Sequence, residues 1–203
     1  YRPEEGSPLE RDPFNAIGVP RPIGWISTLD AEGRANLAPY SFFNAVAYDP
    51  PQVMFAATTN HAFGGLKDSV KNARETGEFV VNLATWTLRE QMNASAVPAP
   101  HEVDEFEYAG LEKAPSELVK PYRVAESPVQ LECVYARAVE LESDEENDPN
   151  TVVFGMVVGV HIDDRFIVDG LVDTVGMEPI GRLGYLDYVK VGARFSMKRP
   201  QWE

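Results

Sequence analysis

Ile23-Gly24-Trp25-Ile26-Ser27-Thr28-Leu29, followed by Asp30-Ala31-Glu32-Gly33 and then residues 35–41, is the stretch on which the fold turns. Its first run is short, apolar and rich in β-branched and aromatic side chains. The polar turn with its glycine then folds the chain back, so the two runs form a hairpin. Pro50-Pro51 blocks a helix and interrupts any ladder, after which Gln52-Val53-Met54-Phe55-Ala56-Ala57 resumes as a third strand. Past Phe63 the period changes. Leu66, Val70 and Ala73 recur at helical spacing, Gly77 stands where a helix ends, and residues 78–83 return to strand.

Working outward, residues 1–13 hold three prolines and several charges without periodicity, and read as an extended arm. A second short helix is predicted over 87–96, ended by Pro98 and Pro100. Residues 97–127 then form a long excursion with little regular structure, marked by Pro98, Pro100, Pro115 and Pro121, with Pro128 just beyond. Loops of that length in compact domains are commonly lids or interface segments. Val129, Leu131, Cys133 and Tyr135 alternate with their neighbours in the period-two pattern of a half-buried strand. Residues 152–162 form a strand apolar on both parities, and residues 180–191 a last one. Six or seven strands with two short helices predict a mainly β fold. The expected architecture is a closed or nearly closed antiparallel barrel in one domain over 1–203, rather than a doubly wound sheet.

Composition narrows the function classes. The 203 residues carry a formal charge of −14, from 18 basic against 32 acidic side chains. That balance argues against nucleic-acid binding, which rests on phosphate neutralisation by Lys and Arg. The densest acidic run, residues 140–148, reads as a solvated turn between strands. A lone cysteine, Cys133, excludes an intramolecular disulfide and a cysteine zinc cluster, and fits a reducing, cytoplasmic setting. The longest apolar run, residues 152–162, is about half of what a helix needs to cross a bilayer, so no membrane partner is expected.

The chemistry-bearing residues are of two kinds. Lys67, Asp68 and Ser69 begin the first helix, where unpaired backbone N–H groups and the macrodipole favour a phosphate. The same residues also fit a plain cap, with Asp68 or Ser69 closing the helix and Lys67 solvated. Ala38-Pro39 offers small, rigid backbone for a flat ring, followed by Tyr40 and Ser41, while Phe42 and Phe43 read as core. Together these are the parts that hold a phosphate-bearing aromatic cofactor. The GxGxxG fingerprint is absent, and Gly64-Gly65 does not follow the P-loop pattern. His161 and Arg182 are candidate donors near such a ring, whereas His61 and His101 read as exposed loop residues, and the histidines lack metal-ligand spacing.

Five motifs carry a resemblance to a known family. They are Pro20-Arg21-Pro22-Ile23-Gly24-Trp25-Ile26-Ser27-Thr28, Asn36-Leu37-Ala38-Pro39-Tyr40-Ser41-Phe42-Phe43-Asn44, Thr76-Gly77-Glu78-Phe79-Val80-Val81-Asn82, Asp104-Glu105-Phe106 with Ala109-Gly110-Leu111, and Glu126-Ser127-Pro128 with Leu131-Glu132-Cys133. Jointly, over residues 14–190, the chain resembles the flavin reductase-like, flavoredoxin-type family. The resemblance implies a split β-barrel, a homodimer, and FMN, or else FAD, near the dimer interface. Ser27 and Thr28 would approach the flavin, Ala38, Pro39, Tyr40 and Ser41 would line ring and ribityl chain, and Lys67, Ser69 and Asn72 would hold the phosphate with help from Thr58 and Thr59. The implied activity is hydride transfer from NAD(P)H to flavin N5. The alternative is an electron carrier of the flavoredoxin kind, with tightly held FMN and a protein redox partner. Tyr185, in Arg182-Leu183-Gly184-Tyr185, stands where the family pattern resembles a second glycine, and would narrow access to the ring.

Overall fold

The computed structural model describes residues 1–143 and 149–202, so residues 144–148 of the acidic run lie outside the described residues. The strands are β1 (Arg21–Pro22), β2 (Gly24–Leu29), β3 (Ala35–Tyr40), β4 (Phe43–Tyr48), β5 (Pro51–Ala57) and β6 (Glu78–Leu83). They continue with β7 (Lys113–Ala114), β8 (Arg123–Val124), β9 (Val129–Leu141), β10 (Asn150–Ile162), β11 (Ile167–Val168), β12 (Leu171–Val172), β13 (Ile180–Arg182) and β14 (Tyr188–Lys190). The α-helices are α1 (Phe14–Ile17), α2 (Asp68–Thr76), α3 (Arg89–Ala94) and α4 (Glu105–Ala109).

Seven strands pair antiparallel in the order β3-β2-β6-β9-β10-β5-β4. The two edge strands, β3 and β4, are joined in the chain only through Ser41 and Phe42. The sheet must therefore curl until its edges meet. Tyr40 of β3 contacts Phe55 of β5 across that seam, with ring centroids 5.0 Å apart. The result is a split β-barrel.

Alternation along β2 explains why it is buried on both faces. Ile26 points into the barrel with Phe55, Phe79, Val81, Cys133 and Val153, and α2 adds Val70 and Ala73 to that cluster. Trp25, one residue earlier, joins Leu37, Leu88, Met92, Phe106, Val124 and Ile180 in a second cluster that includes residues of α3 and α4. Backbone and ring approach closely at Gly155, where an added Cβ would lie 2.3 Å from the Phe79 ring. This contact sits beside a register shift between Phe154 and Gly155 in the β9–β10 ladder.

Four elements differ from the sequence reading. The Phe43–Tyr48 run, for which the sequence reading gives no strand, is an edge strand, and its mostly exposed residues lack an apolar alternation that would announce it. The tail strand expected over 180–191 is instead the hairpin β13–β14. Its turn closes through Asp187 N–H to Gly184 O at 2.9 Å, with Tyr185 at φ 55°. The excursion holds α4, capped by the Asp104 side chain on the Phe106 N–H, and the short β7–β8 pair. Finally, the helix expected from Leu66 onward is α2 and starts at Asp68, and Leu66 packs against the barrel core from the preceding loop.

Candidate functional site

Thr28 of β2, Asn36 of β3, Ser69 and Asn72 of α2, and Glu105 of α4 are polar, buried and mutually hydrogen-bonded. Asn36 is the hub. Its Oδ1 accepts from Ser69 Oγ at 2.8 Å and from Thr28 Oγ1 at 3.3 Å. Its Nδ2 donates to Glu105 Oε2 at 3.1 Å, which also takes the Leu37 N–H at 3.0 Å. Behind this, Asn72 Nδ2 donates to Thr28 Oγ1 at 3.1 Å. Buried polar atoms without partners are costly, so this chain of bonds fixes where Ser69 sits.

The network forms the floor of a cavity of about 160 Å³, lined by Asn36, Ala38, Pro39, Tyr40, His61, Lys67, Asp68, Ser69 and Glu105 among others. Lys67 occupies the N-cap position of α2, and no side chain caps the helix. Its ammonium has no carboxylate partner among the described residues. Asp68 is drawn away from capping by two histidines, His101 Nδ1 at 2.6 Å and His61 Nε2 at 3.4 Å. The imidazoles stack at 4.1 Å, and His61 is half-buried rather than an exposed loop residue.

Those three side chains bring ligand atoms within 4.8 Å of one another, a convergence that sequence spacing does not disclose. One hydrogen bond bears on the tautomer of the inner histidine. His61 Nδ1 accepts the Phe63 N–H at 3.2 Å, so neutral His61 carries its proton on Nε2, toward Asp68. A metal-bound histidine has the reverse arrangement, with the far nitrogen donating. Burial holds the His61 pKa below its ordinary value, Asp68 opposing and the His101 and Lys67 charges adding.

Two further groups on this floor are displaced from their usual acidity. Burial pushes the Glu105 carboxyl up to about 7, with the Asp68 charge adding and the bonds from Leu37 and Asn36 opposing. The Tyr40 phenol is raised, again chiefly by burial, against a hydrogen bond with Ser69.

Pro39 and Ala96 also line a second cavity of about 370 Å³, so the two spaces adjoin. Its walls include Arg21, Ser41, Phe42, Arg182 and Tyr185. Arg21 donates to the carbonyls of Asn15, Gly18 and Leu183 at 2.6, 2.9 and 2.9 Å, tying α1 and the β13–β14 turn to the cavity wall. Its guanidinium lies 5.4 Å from the Phe42 ring centroid, so Phe42 faces this space while Phe43 packs in the barrel core. Burial and the neighbouring Arg182 charge both lower the Arg21 pKa. An anionic group entering between the two arginines would relieve that repulsion. Arg182 stacks on Tyr188 at 4.5 Å and donates to the Tyr185 carbonyl.

The sequence-derived candidates thus divide. Ala38, Pro39, Tyr40, Ser41, Lys67, Ser69 and Arg182 line the two adjoining cavities. Thr28 and Asn72 stand one shell behind, supporting Asn36. Ser27 lies buried elsewhere, donating to the Tyr122 carbonyl at 2.6 Å and accepting from Asn82 Nδ2 at 3.1 Å. Thr58 faces an apolar depression with Met54 and Phe154, and Thr59 is exposed in the loop after β5. His161 lies outside both cavities, bonded at 2.5 Å to Glu132, a buried carboxylate that also takes the N–H groups of Glu117, Leu118 and Val119. Sequence reasoning missed Arg21, Asn36, His61, Asp68 and Glu105 as lining or support. Arg21, Asn36 and Glu105 stood inside the quoted motifs, and neither Asn36 nor Glu105 carries a local signal of burial.

Fold and cavities together define a split barrel with two adjoining cavities as its candidate site. The model of the flavin reductase like domain matches residues 16–174, and the chain belongs to that family. A protein of Aquifex aeolicus is 39% identical over 181 residues, covering 89% of each chain. Nitrilotriacetate monooxygenase component B from Bacillus cereus superposes with a TM-score of 0.86 at 31% identity, over 94% of this chain and 96% of the other. The 2-nitrobenzoate 2-nitroreductase NbaA of Pseudomonas fluorescens follows at a TM-score of 0.78 and 28% identity, over 93% and 89%.

Proposed function

We propose that this protein is an FMN-binding oxidoreductase that accepts hydride from NAD(P)H, with the ligand's phosphate at Lys67 and Ser69 and its ring along Ala38, Pro39, Tyr40 and Ser41. The observation that carries this reading is the pair of adjoining cavities sharing Pro39 and Ala96. One is small and holds an ammonium without a carboxylate partner among the described residues, the other is larger and holds two guanidinium groups. Their donor sets fit the two ends of a flavin mononucleotide. The bound flavin would supply the hydride chemistry, so the chain needs no general base of its own.

The chain's residues bind, orient and stabilise charge. Lys67 supplies a charge-assisted contact to phosphate, and the start of α2, which no side chain caps, favours an anion. Asn36, held by Glu105, positions the Ser69 hydroxyl. Arg182 and Arg21 favour negative charge developing in the larger cavity, an arrangement already in place before reaction. Tyr185 narrows the mouth of that cavity and so restricts what can lie on the ring.

We also read the protein as a homodimer. Val134, Val139, Leu141, Met156, Val158 and Val160 are exposed on the long strands β9 and β10. Contiguous apolar surface of this kind marks an interface.

Mixing the purified protein with FMN and NADH or NADPH without oxygen should bleach the flavin absorbance. Absence of bleaching with either nucleotide would remove the reductase reading. The charge of −14 favours a second reading, an electron carrier with a basic protein partner. Flavin retained through gel filtration together with slow NAD(P)H oxidation would select it.

A further inference from the structure

Glu105 faces the small cavity with one of its oxygens already committed. Oε2 accepts from the Leu37 N–H and from Asn36 Nδ2, so a proton taken up by this carboxyl would reside on Oε1. Charged and titratable groups approach it from several elements, while α3, which also packs against α4, lines the cavity with none. Lys67 and Asp68 come from α2, Tyr40 from β3, and His61 from the loop before α2. His101 reaches in through Asp68. On the outer side of α4, Asp104 and Glu107 are paired with Lys113.

That inventory is unbalanced toward an anion. The cavity holds two carboxylates and one ammonium, and the histidines are both directed at Asp68. Glu105 has no cationic partner among the described residues. A phosphate monoester is chiefly a dianion above about pH 6. Brought into this space, it would meet an ionised Glu105 as a third like charge, whereas a neutral carboxyl would offer it an O–H donor.

We propose that Glu105 is a ligand-binding residue that acts in its protonated form, donating Oε1–H to a phosphate oxygen, so that binding takes up about one proton from solvent. The inference rests on the flavin reading above and adds a chemical role for a residue that the reading does not use directly. Burial already brings the carboxyl up to about 7, so little further bias is required for it to be neutral beside a dianion.

Calorimetric titration of FMN and of riboflavin near pH 8, in two buffers of different ionisation enthalpy, tests this above the phosphate's own ionisation near pH 6. FMN should bind with uptake of about one proton and lose affinity about tenfold per pH unit above pH 8, while riboflavin shows neither effect. Glu105→Gln keeps an acceptor for Leu37 and Asn36 and adds a permanent N–H donor. It should bind FMN with no uptake and a flat pH profile. Wild-type binding without proton uptake would overturn the proposal. So would undiminished uptake by Glu105→Gln, which would put the proton on His61 or His101. Failure of both flavins to bind would instead remove the flavin reading, and this one with it.

Discussion

At the scale of single residues, Glu105 also makes a statement about stability. Its carboxyl titrates near 7 in the folded chain against 4.5 for an unperturbed one, so between those values the folded state holds the extra proton. Stability therefore falls as pH rises through that window, and the full cost is present above it. Ligand-free Glu105→Gln should gain about 3 kcal/mol over wild type near pH 8 and under about 1 kcal/mol near pH 5, read by urea denaturation at each pH. Equal gains at both would show that Glu105 is ionised throughout. In the same cavity, Lys67→Ala should weaken FMN by about 10- to 100-fold, the range of a charge-assisted contact, and Ser69→Ala by about fivefold. Unchanged dissociation constants in both variants would place the phosphate elsewhere. Lys67 and Ser69 were visible in the sequence because a helix start is a local pattern. Glu105 and His61 were not, since the first is held by Asn36 and Leu37, 69 and 68 residues earlier, and the second is stacked on the distant His101, contacts that no spacing rule reaches.

Elements show the same division between local and long-range causes. The hairpin β2–β3, helix α2 and strand β6 are announced by turn chemistry, by helical spacing and by Gly77, which sits at φ 79° as the C-cap. Strand β4 is not, because its residues are mostly exposed without alternation, and it joins β5 as a hairpin across Asp49-Pro50, where the prolines read as a break. Nor is the break in the tail, where the Gly184–Asp187 turn replaces a continuous strand. Inside the barrel, the contact between Gly155 and Phe79 joins strands β10 and β6. Phe79→Ala should cost about 3–5 kcal/mol through the space it leaves, and Gly155→Ala about 1–3 kcal/mol through overlap with the ring. The double variant should be less destabilised than the sum, since the new methyl group would occupy vacated volume. Strict additivity in chemical denaturation would show that the two sites do not share that space.

For the whole molecule, the apolar outer face of β9 and β10 predicts a dimer of this chain. Size-exclusion chromatography with light scattering should give about 45 kDa, twice the chain mass of 22.5 kDa. Val158→Asp on that face should shift the mass toward the monomer, and a monomeric wild type would remove the dimer reading. The seam of the barrel bears on the site in another way. Ser41 and Phe42, which carry the chain from one edge strand to the other, are also walls of the larger cavity. A molecule held against them acts as a clasp on the seam between β3 and β4, which no ladder joins among the described residues. Loading with FMN should therefore slow amide hydrogen exchange in β3 and β4 more than in β9, and proteases that probe brief opening of the barrel should cut the loaded protein less readily than the empty one.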